Sequence, residues 1–203
     1  MILEKRLTDT IYLTRVGDDL IEMRLKDLRI AMLAENGYED LELWYPMLRL
    51  QEEGATVDVI GSGTSKVYKS KHGYPVRVDK DAVNVKASDY DALIVPGGWA
   101  PDQLRRHQSV ISFVKDIFSQ QKVVGAICHA GSLLVSADVL RGKTVTCFEA
   151  IKDDLINAGA KYVDREVVVD GNLVTSRQPQ DLPAFCRETI NTLAKKTTKS
   201  DQH

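Results

Sequence analysis

Short apolar runs alternate with longer stretches of helical spacing through most of this 203-residue chain. Leu28 to Leu33 (LRIAML) reads as a first strand. Asp40 to Glu53 follows with helical spacing at Leu41, Trp44, Leu48 and Gln51, and Gly54 stops it. Thr56 to Ile60 is a second strand, and Ala92 to Val95, ending at Pro96-Gly97-Gly98, a third. A helix over Val110 to Phe118 leads into a strand over Lys122 to Ile127. A strand with almost no polar residue has both faces covered. Strands of that kind separated by helices predict an α/β fold with a mainly parallel sheet between two helical layers.

Three segments depart from this rhythm. Ser65 to Val78 contains Gly73 and Pro75 and alternates weakly, which predicts a small β-excursion off the main sheet. Glu166 to Ser176 holds two strand-like runs around Asp170-Gly171, a hairpin signal. Thr10 to Val16 and Leu20 to Leu25 alternate around Gly17-Asp18-Asp19, which predicts a β-hairpin within an N-terminal extension, residues 1–26. That hairpin is read as an oligomer contact, a cover over the site, or a decorative edge. Leu182 to Lys195 is a closing helix of the 27–195 domain, and 196–203 a polar, fraying tail.

Charge and cysteine usage narrow the function classes. Twenty-seven basic and 29 acidic residues give a net charge of −2, so the chain has no field for gripping a phosphate backbone, and nucleic acid is excluded as the main partner. No apolar run approaches the roughly 18 residues that a membrane helix needs. The first twenty residues, with Glu4, Lys5, Arg15, Asp18 and Asp19, lack a signal-peptide core. Three cysteines are too few, and of the wrong parity, for a disulfide framework, which predicts a reducing cytoplasm.

The strongest chemical signal is Gly125-Ala126-Ile127-Cys128-His129-Ala130-Gly131-Ser132. An apolar strand runs straight into Cys128, and a helical pattern starts at once. A residue on so sharp a turn takes strained φ/ψ and needs small neighbours, as in the nucleophile elbow of α/β hydrolases. Here Ala126 and Ala130 hold the places of the elbow glycines. A helix N-terminus beside the sulfur stabilises a thiolate. Cys128 is therefore the candidate nucleophile or redox centre, against the alternative of inert packing. His129 is its candidate base, although adjacent residues on a regular helix do not face each other.

Two further segments end at the same sheet edge. Glu42 lies in the first turn of the helix after strand one, four residues before Pro46. The proline removes the hydrogen bond to the Glu42 carbonyl and predicts a distorted helix there. The Glu42 carboxyl group is placed to share a proton with Cys128; the bland alternative is helix electrostatics. Pro96-Gly97-Gly98-Trp99-Ala100-Pro101-Asp102 ends another strand, and its glycines let the backbone approach a ligand and offer N–H groups to an oxyanion. Asp102 after Pro101 also fits an ordinary helix start. The four histidines show no metal-ligand spacing, so neither metal nor cofactor is expected. Gly61-Ser62-Gly63 lacks the third glycine of a dinucleotide fingerprint, and no P-loop is present. Cys147 and Cys186 read as core.

Glu39-Asp40-Leu41-Glu42-Leu43, Lys71-His72-Gly73-Tyr74, Asp91 to Gly98, Ala126-Ile127-Cys128-His129 and Asp153 to Gly159, in this order, resemble the DJ-1/PfpI superfamily, above all its PfpI-like intracellular proteases. The resemblance covers about residues 27–195. It implies a flavodoxin-like three-layer sandwich related to class I glutamine amidotransferases, with Cys128 as nucleophile, His129 beside it and Glu42 hydrogen-bonded to the cysteine. It implies oxyanion donors at the N–H groups of Gly98 and His129. A carboxylate from a neighbouring subunit would reach the histidine, at the position of Asp102, one methylene shorter than the archetype's Glu. A homo-oligomer, dimer or larger, follows from such sharing.

The expected function is a PfpI-type cysteine hydrolase. Its substrates would be peptide or amide carbonyls, or glyoxal-type aldehydes in a glyoxalase or deglycase reaction of the stress response. Gly97, Gly98 and Trp99 would line the binding site. The alternative is a non-catalytic redox sensor or chaperone that oxidises Cys128 to the sulfinic acid with Glu42 stabilising it.

Overall fold

A computed structural model describes residues 13–16 and 19–200, with side chains described for residues 23–195. Two short strands come first, β1 (Leu13–Val16) and β2 (Asp19–Glu22), paired antiparallel with Val16 opposite Asp19. The N-terminal alternation thus forms paired strands in its described part; Thr10 to Tyr12, Gly17 and Asp18 lie outside the described residues. The extension is tied to the rest of the molecule. Leu25 is fully buried, its N–H donates to Glu53 O at 2.8 Å, and Arg24 Nη2 donates to Asn191 Oδ1 at 2.8 Å.

The core elements follow in chain order. They are β3 (Arg29–Ala34), α1 (Asp40–Glu52), β4 (Thr56–Gly61), β5 (Val67–Lys69), β6 (Pro75–Arg77), β7 (Lys80–Asp81) and β8 (Ala92–Val95). Then come α2 (Ala100–Leu104), α3 (Gln108–Ser119), β9 (Val123–Ile127), α4 (Gly131–Ser136), β10 (Thr144–Val145), α5 (Lys152–Asn157), β11 (Lys161–Tyr162), β12 (Val167–Asp170), β13 (Leu173–Ser176) and α6 (Leu182–Ser200).

The main sheet has the order β12-β13-β9-β8-β3-β4-β7 and is parallel except for the β12–β13 pair. Helices cover both faces, giving the flavodoxin-like sandwich. The fully apolar runs become the central strands because both their faces are roofed: every residue of β8 and β9 is buried. Gly125 in β9 serves that packing. A Cβ there would lie 2.9 Å from Ile94 Cδ1 and 3.0 Å from the ring of Phe185, so its absence lets α6 press against the sheet. Chain order reverses between β3 and β8, so the crevice beyond their carboxyl ends is the topological switch point where open α/β sheets bind ligands.

Several expectations are refined. The excursion is the antiparallel pair β5–β6, with Tyr68 opposite Val76. In the late hairpin Asp170 pairs with Leu173, so the turn residues are Gly171 and Asn172, one position later than the Asp170-Gly171 signal. Gly171 takes φ +65°, the conformation that a tight turn asks of glycine. Helix α6 continues to Ser200, beyond Lys195. Helix α1 runs unbroken across Pro46, whose ring is buried, so the lost hydrogen bond does not end it.

Candidate active site

Three chain segments meet at the switch point: the turn from β3 into α1, the Pro96–Trp99 loop after β8, and Cys128–Ala130 after β9. Cys128 takes φ +61°, a left-handed conformation rare for a side chain with a Cβ. Strain of this kind costs on the order of 1–3 kcal/mol and persists only where the surroundings hold it. Here Ile127 is still extended, a short 3-10 turn over Cys128–Ala130 begins at once, and Phe148 N–H donates to Cys128 O at 3.3 Å. Ala126 and Ala130 are buried and small, as the elbow requires.

The turn does what a regular helix does not: it brings neighbours together. His129 Nδ1 lies 3.3 Å from Cys128 Sγ. The imidazole stacks on the Phe148 ring, with centroids 4.8 Å apart and planes inclined by 27°. Burial lowers the His129 pKa; Asp102 opposes this and Lys71 adds to it. A neutral imidazole is thus favoured, ready to accept a proton.

Glu42 is fully buried on α1. Its Oε2 accepts the Gly97 N–H at 2.8 Å. Burial raises its pKa to about 7; Gly97 opposes this, Glu39 adds to it, and a hydrogen bond with Cys128 opposes it. Burial also pushes the Cys128 thiol up, and a charged Glu42 pushes it further, while the N–H groups of His129 and Gly98 at the sulfur pull it down. Two anions do not fit together here, so a charged Glu42 favours the protonated thiol. This corrects the expectation of a thiolate held by a helix dipole. Helix α4 has only six residues, and the N–H groups of His129 and Gly98 are what pull the thiol down.

The two glycines have separate reasons. A Cβ on Gly97 would lie 2.7 Å from Cys128 Cβ, 2.7 Å from Glu42 Oε2 and 2.9 Å from His129 N. Gly98 takes φ +73°, and a Cβ there would lie 2.4 Å from Gly37 O. Trp99 N–H donates to Gly37 O at 2.7 Å, and its side chain, 65% exposed, stands at the rim of a cleft of about 680 Å³. Asp102 lies exposed in the first turn of α2. No hydrogen bond joins it to His129 within the described chain, although its charge raises the His129 pKa.

Sequence reasoning missed two neighbours of this site. Phe148 carried no motif of its own; only the fold lays it on His129. The Ser70–Tyr74 loop was noted as a pattern without a physical role. It clamps the start of α1: Lys71 Nζ lies 2.5 Å from Glu39 Oε2, His72 Nδ1 lies 2.7 Å from Asp40 Oδ2, and Ser70 Oγ donates to Asp40 Oδ1 at 2.6 Å. Ligand atoms of Glu39, Asp40 and His72 fall within 4.8 Å of one another, a grouping that the histidine spacing did not reveal. The Lys71 ammonium stands on Glu39 there, in the role a cation would have. Cys147 and Cys186 are buried, and burial pushes each thiol up to about 12.

Residues 28–192 match the model of the DJ-1/PfpI family. The chain belongs to that family. A deglycase of Pyrococcus horikoshii, PH1704, is 46% identical over 166 residues, covering 82% of this chain and 99% of that one. YraA of Bacillus subtilis, named as a candidate cysteine protease, is 45% identical over 165 residues, covering 81% and 98%. Among solved structures, Drosophila melanogaster DJ-1beta superposes with a TM-score of 0.77 at 28% identity, covering 86% of this chain and 94% of that one. The DJ-1/PfpI match begins at Leu28, so β1 and β2 precede the matched region. Among the described residues, no helix of this DJ-1/PfpI chain is long and apolar enough to cross a membrane.

Proposed function

We propose that this chain is a cysteine enzyme of reactive carbonyls, with 2-oxoaldehydes and their adducts as substrates. The observation that carries this is the 3.3 Å approach of His129 Nδ1 to Cys128 Sγ on a strained elbow. Strain and a neighbouring base serve a nucleophile and do nothing for packing. The relatives named as deglycases support the aldehyde reading.

The chemistry follows from the groups present. Cys128 sulfur adds to the aldehyde carbon, giving a hemithioacetal whose oxygen meets the N–H groups of Gly98 and His129. His129 then moves the proton on that carbon to the adjacent ketone carbon. The ketone becomes a hydroxyl and the sulfur-bearing carbon a thioester carbonyl. Water cleaves the thioester to a 2-hydroxy acid and returns the thiol. The sum is oxoaldehyde plus water, with no outside oxidant. A carbinolamine adduct enters the same path after collapsing to aldehyde and free amine. Peptide hydrolysis would use the same nucleophile and oxyanion donors. A carboxylate on His129 would complete it, and Asp102 of a partner subunit is the candidate.

The second reading rests on Glu42. A buried carboxyl group that holds its proton up to about pH 7 is placed to donate to a sulfinate on Cys128. The deciding experiment is turnover of methylglyoxal and of fluorogenic peptides, with Cys128→Ala as control. Lactate production that disappears in Cys128→Ala supports the aldehyde enzyme. Fully reduced protein that turns over neither substrate rejects it in favour of the sensor.

A further inference from the structure

The cleft beside Trp99 is lined by Lys69, Lys71, Arg106 and His107. The carboxylate that lines it, Glu35, is turned inward: it is 3% exposed and accepts from Ser62 Oγ, Thr64 Oγ1 and Asn36 N–H. Lys71 is held in place. Its N–H donates to Tyr38 O at 2.9 Å, and its ammonium lies 2.5 Å from Glu39 Oε2. Glu39 is itself 5% exposed, whereas a third of the Lys71 side chain, 34%, stays open to solvent. From this position the ammonium acts on the charges of Glu42, Cys128 and His129. The Lys71 ammonium thus lines the cleft against Glu39, whose N–H donates to Gly97 O at 3.2 Å, and Gly97 packs against Cys128.

We propose that this cleft is an anion subsite in which Lys71 selects carbonyl compounds bearing a carboxylate near the reacting carbon. A tethered ammonium suits a carboxylate, and Lys69, Arg106 and His107 line the same cleft. Selection is local, because a net charge of −2 supplies no long-range pull. The proposal rests on Cys128 being the nucleophile, and it names the substrate class that the nucleophile sees.

The test compares alkylation of Cys128 by iodoacetate and by iodoacetamide, read by mass spectrometry of the Cys128 peptide. In both reactions the thiolate displaces iodide and forms one S–C bond, so the thiolate fraction cancels in the ratio of rates. The expected ratio for the native protein favours iodoacetate above that of a small free thiol. The double variant Lys71→Met with Glu39→Gln removes the ion pair without orphaning a buried carboxylate. It should lower the ratio measurably, because the ammonium it removes is the exposed member of the pair and the carboxylate removed with it is buried. A native ratio no higher than that of the free thiol, or one unchanged in the double variant, overturns the proposal. No turnover is needed, so failure on methylglyoxal would strike the enzyme reading and leave this ratio standing.

Discussion

Gly97 donates its N–H to Glu42 Oε2 at 2.8 Å, joining the loop after β8 to the helix after β3 directly beneath the Cys128 sulfur. The bond fixes the carboxyl group on one oxygen. The other, Oε1, is buried without a well-formed hydrogen bond among the described residues, leaving it for exchange with the thiol.

Glu42→Gln tests that exchange. Burial raises the carboxyl pKa from 4.5 to about 7, so the native state binds an extra proton between those values. Its stabilising contribution is complete below pH 4.5 and is lost as pH rises through 7. The glutamine has no such proton. A plot of native stability against pH should fall across this window by up to about 3 kcal/mol, and the variant's plot should be flatter there. Chemical denaturation over a pH series measures both. Peroxide treatment of the variant should also change how far Cys128 oxidises.

Gly97→Ala should cost far more activity than stability. The added methyl meets Cys128, Glu42 and the His129 backbone at under 3 Å, so the elbow must shift. Overpacking of this kind costs about 1–3 kcal/mol, which a domain of this size tolerates. A folded variant with native-like activity in the methylglyoxal assay would contradict the assigned geometry.

Phe148→Leu should raise the His129 pKa. The ring covers one face of the imidazole, and burial is the main cause of the lowered value. NMR titration of the His129 ring reports it, with His129→Gln to assign the signal. Phe148→Tyr keeps the stack and should leave the titration near native.

Cys128 should be the first thiol that iodoacetamide labels. Cys147 and Cys186 are both nearly inaccessible and pushed up to about 12 by burial. Cys128 is pushed up as well, but the N–H groups of His129 and Gly98 at the sulfur pull it down, and His129 Nδ1 lies 3.3 Å away to take its proton. Peptide mapping after brief exposure gives the order, and prior labelling of Cys186 would sink the assignment.

Asp102→Asn tests whether a second subunit completes the site. Within one chain Asp102 reaches His129 only through space. If a partner's carboxylate orients the imidazole, the variant should lose peptidase turnover at least about tenfold with its melting temperature unchanged. Light scattering that shows a fully active monomer would remove the shared arrangement altogether.

Residue order alone determined the fold class and pointed to Cys128 as the candidate nucleophile. An apolar run such as Ala92–Val95 has nowhere to go but the middle of a covered sheet, and a strand that ends in Ile127-Cys128-His129 announces its own turn. These are local signals, carried by a few consecutive residues. The two-residue strands β7, β10 and β11 left no such signal, because a period needs more than one repeat. Phe148 on His129 and Lys71 on Glu39 left none either, since each pair lies far apart in the chain and meets only when the sheet brings its loops to one edge. Tertiary structure also decided the protonation of the site. A glutamate at a helix start is ordinary in water; full burial against a thiol is what lets Glu42 keep its proton to about pH 7.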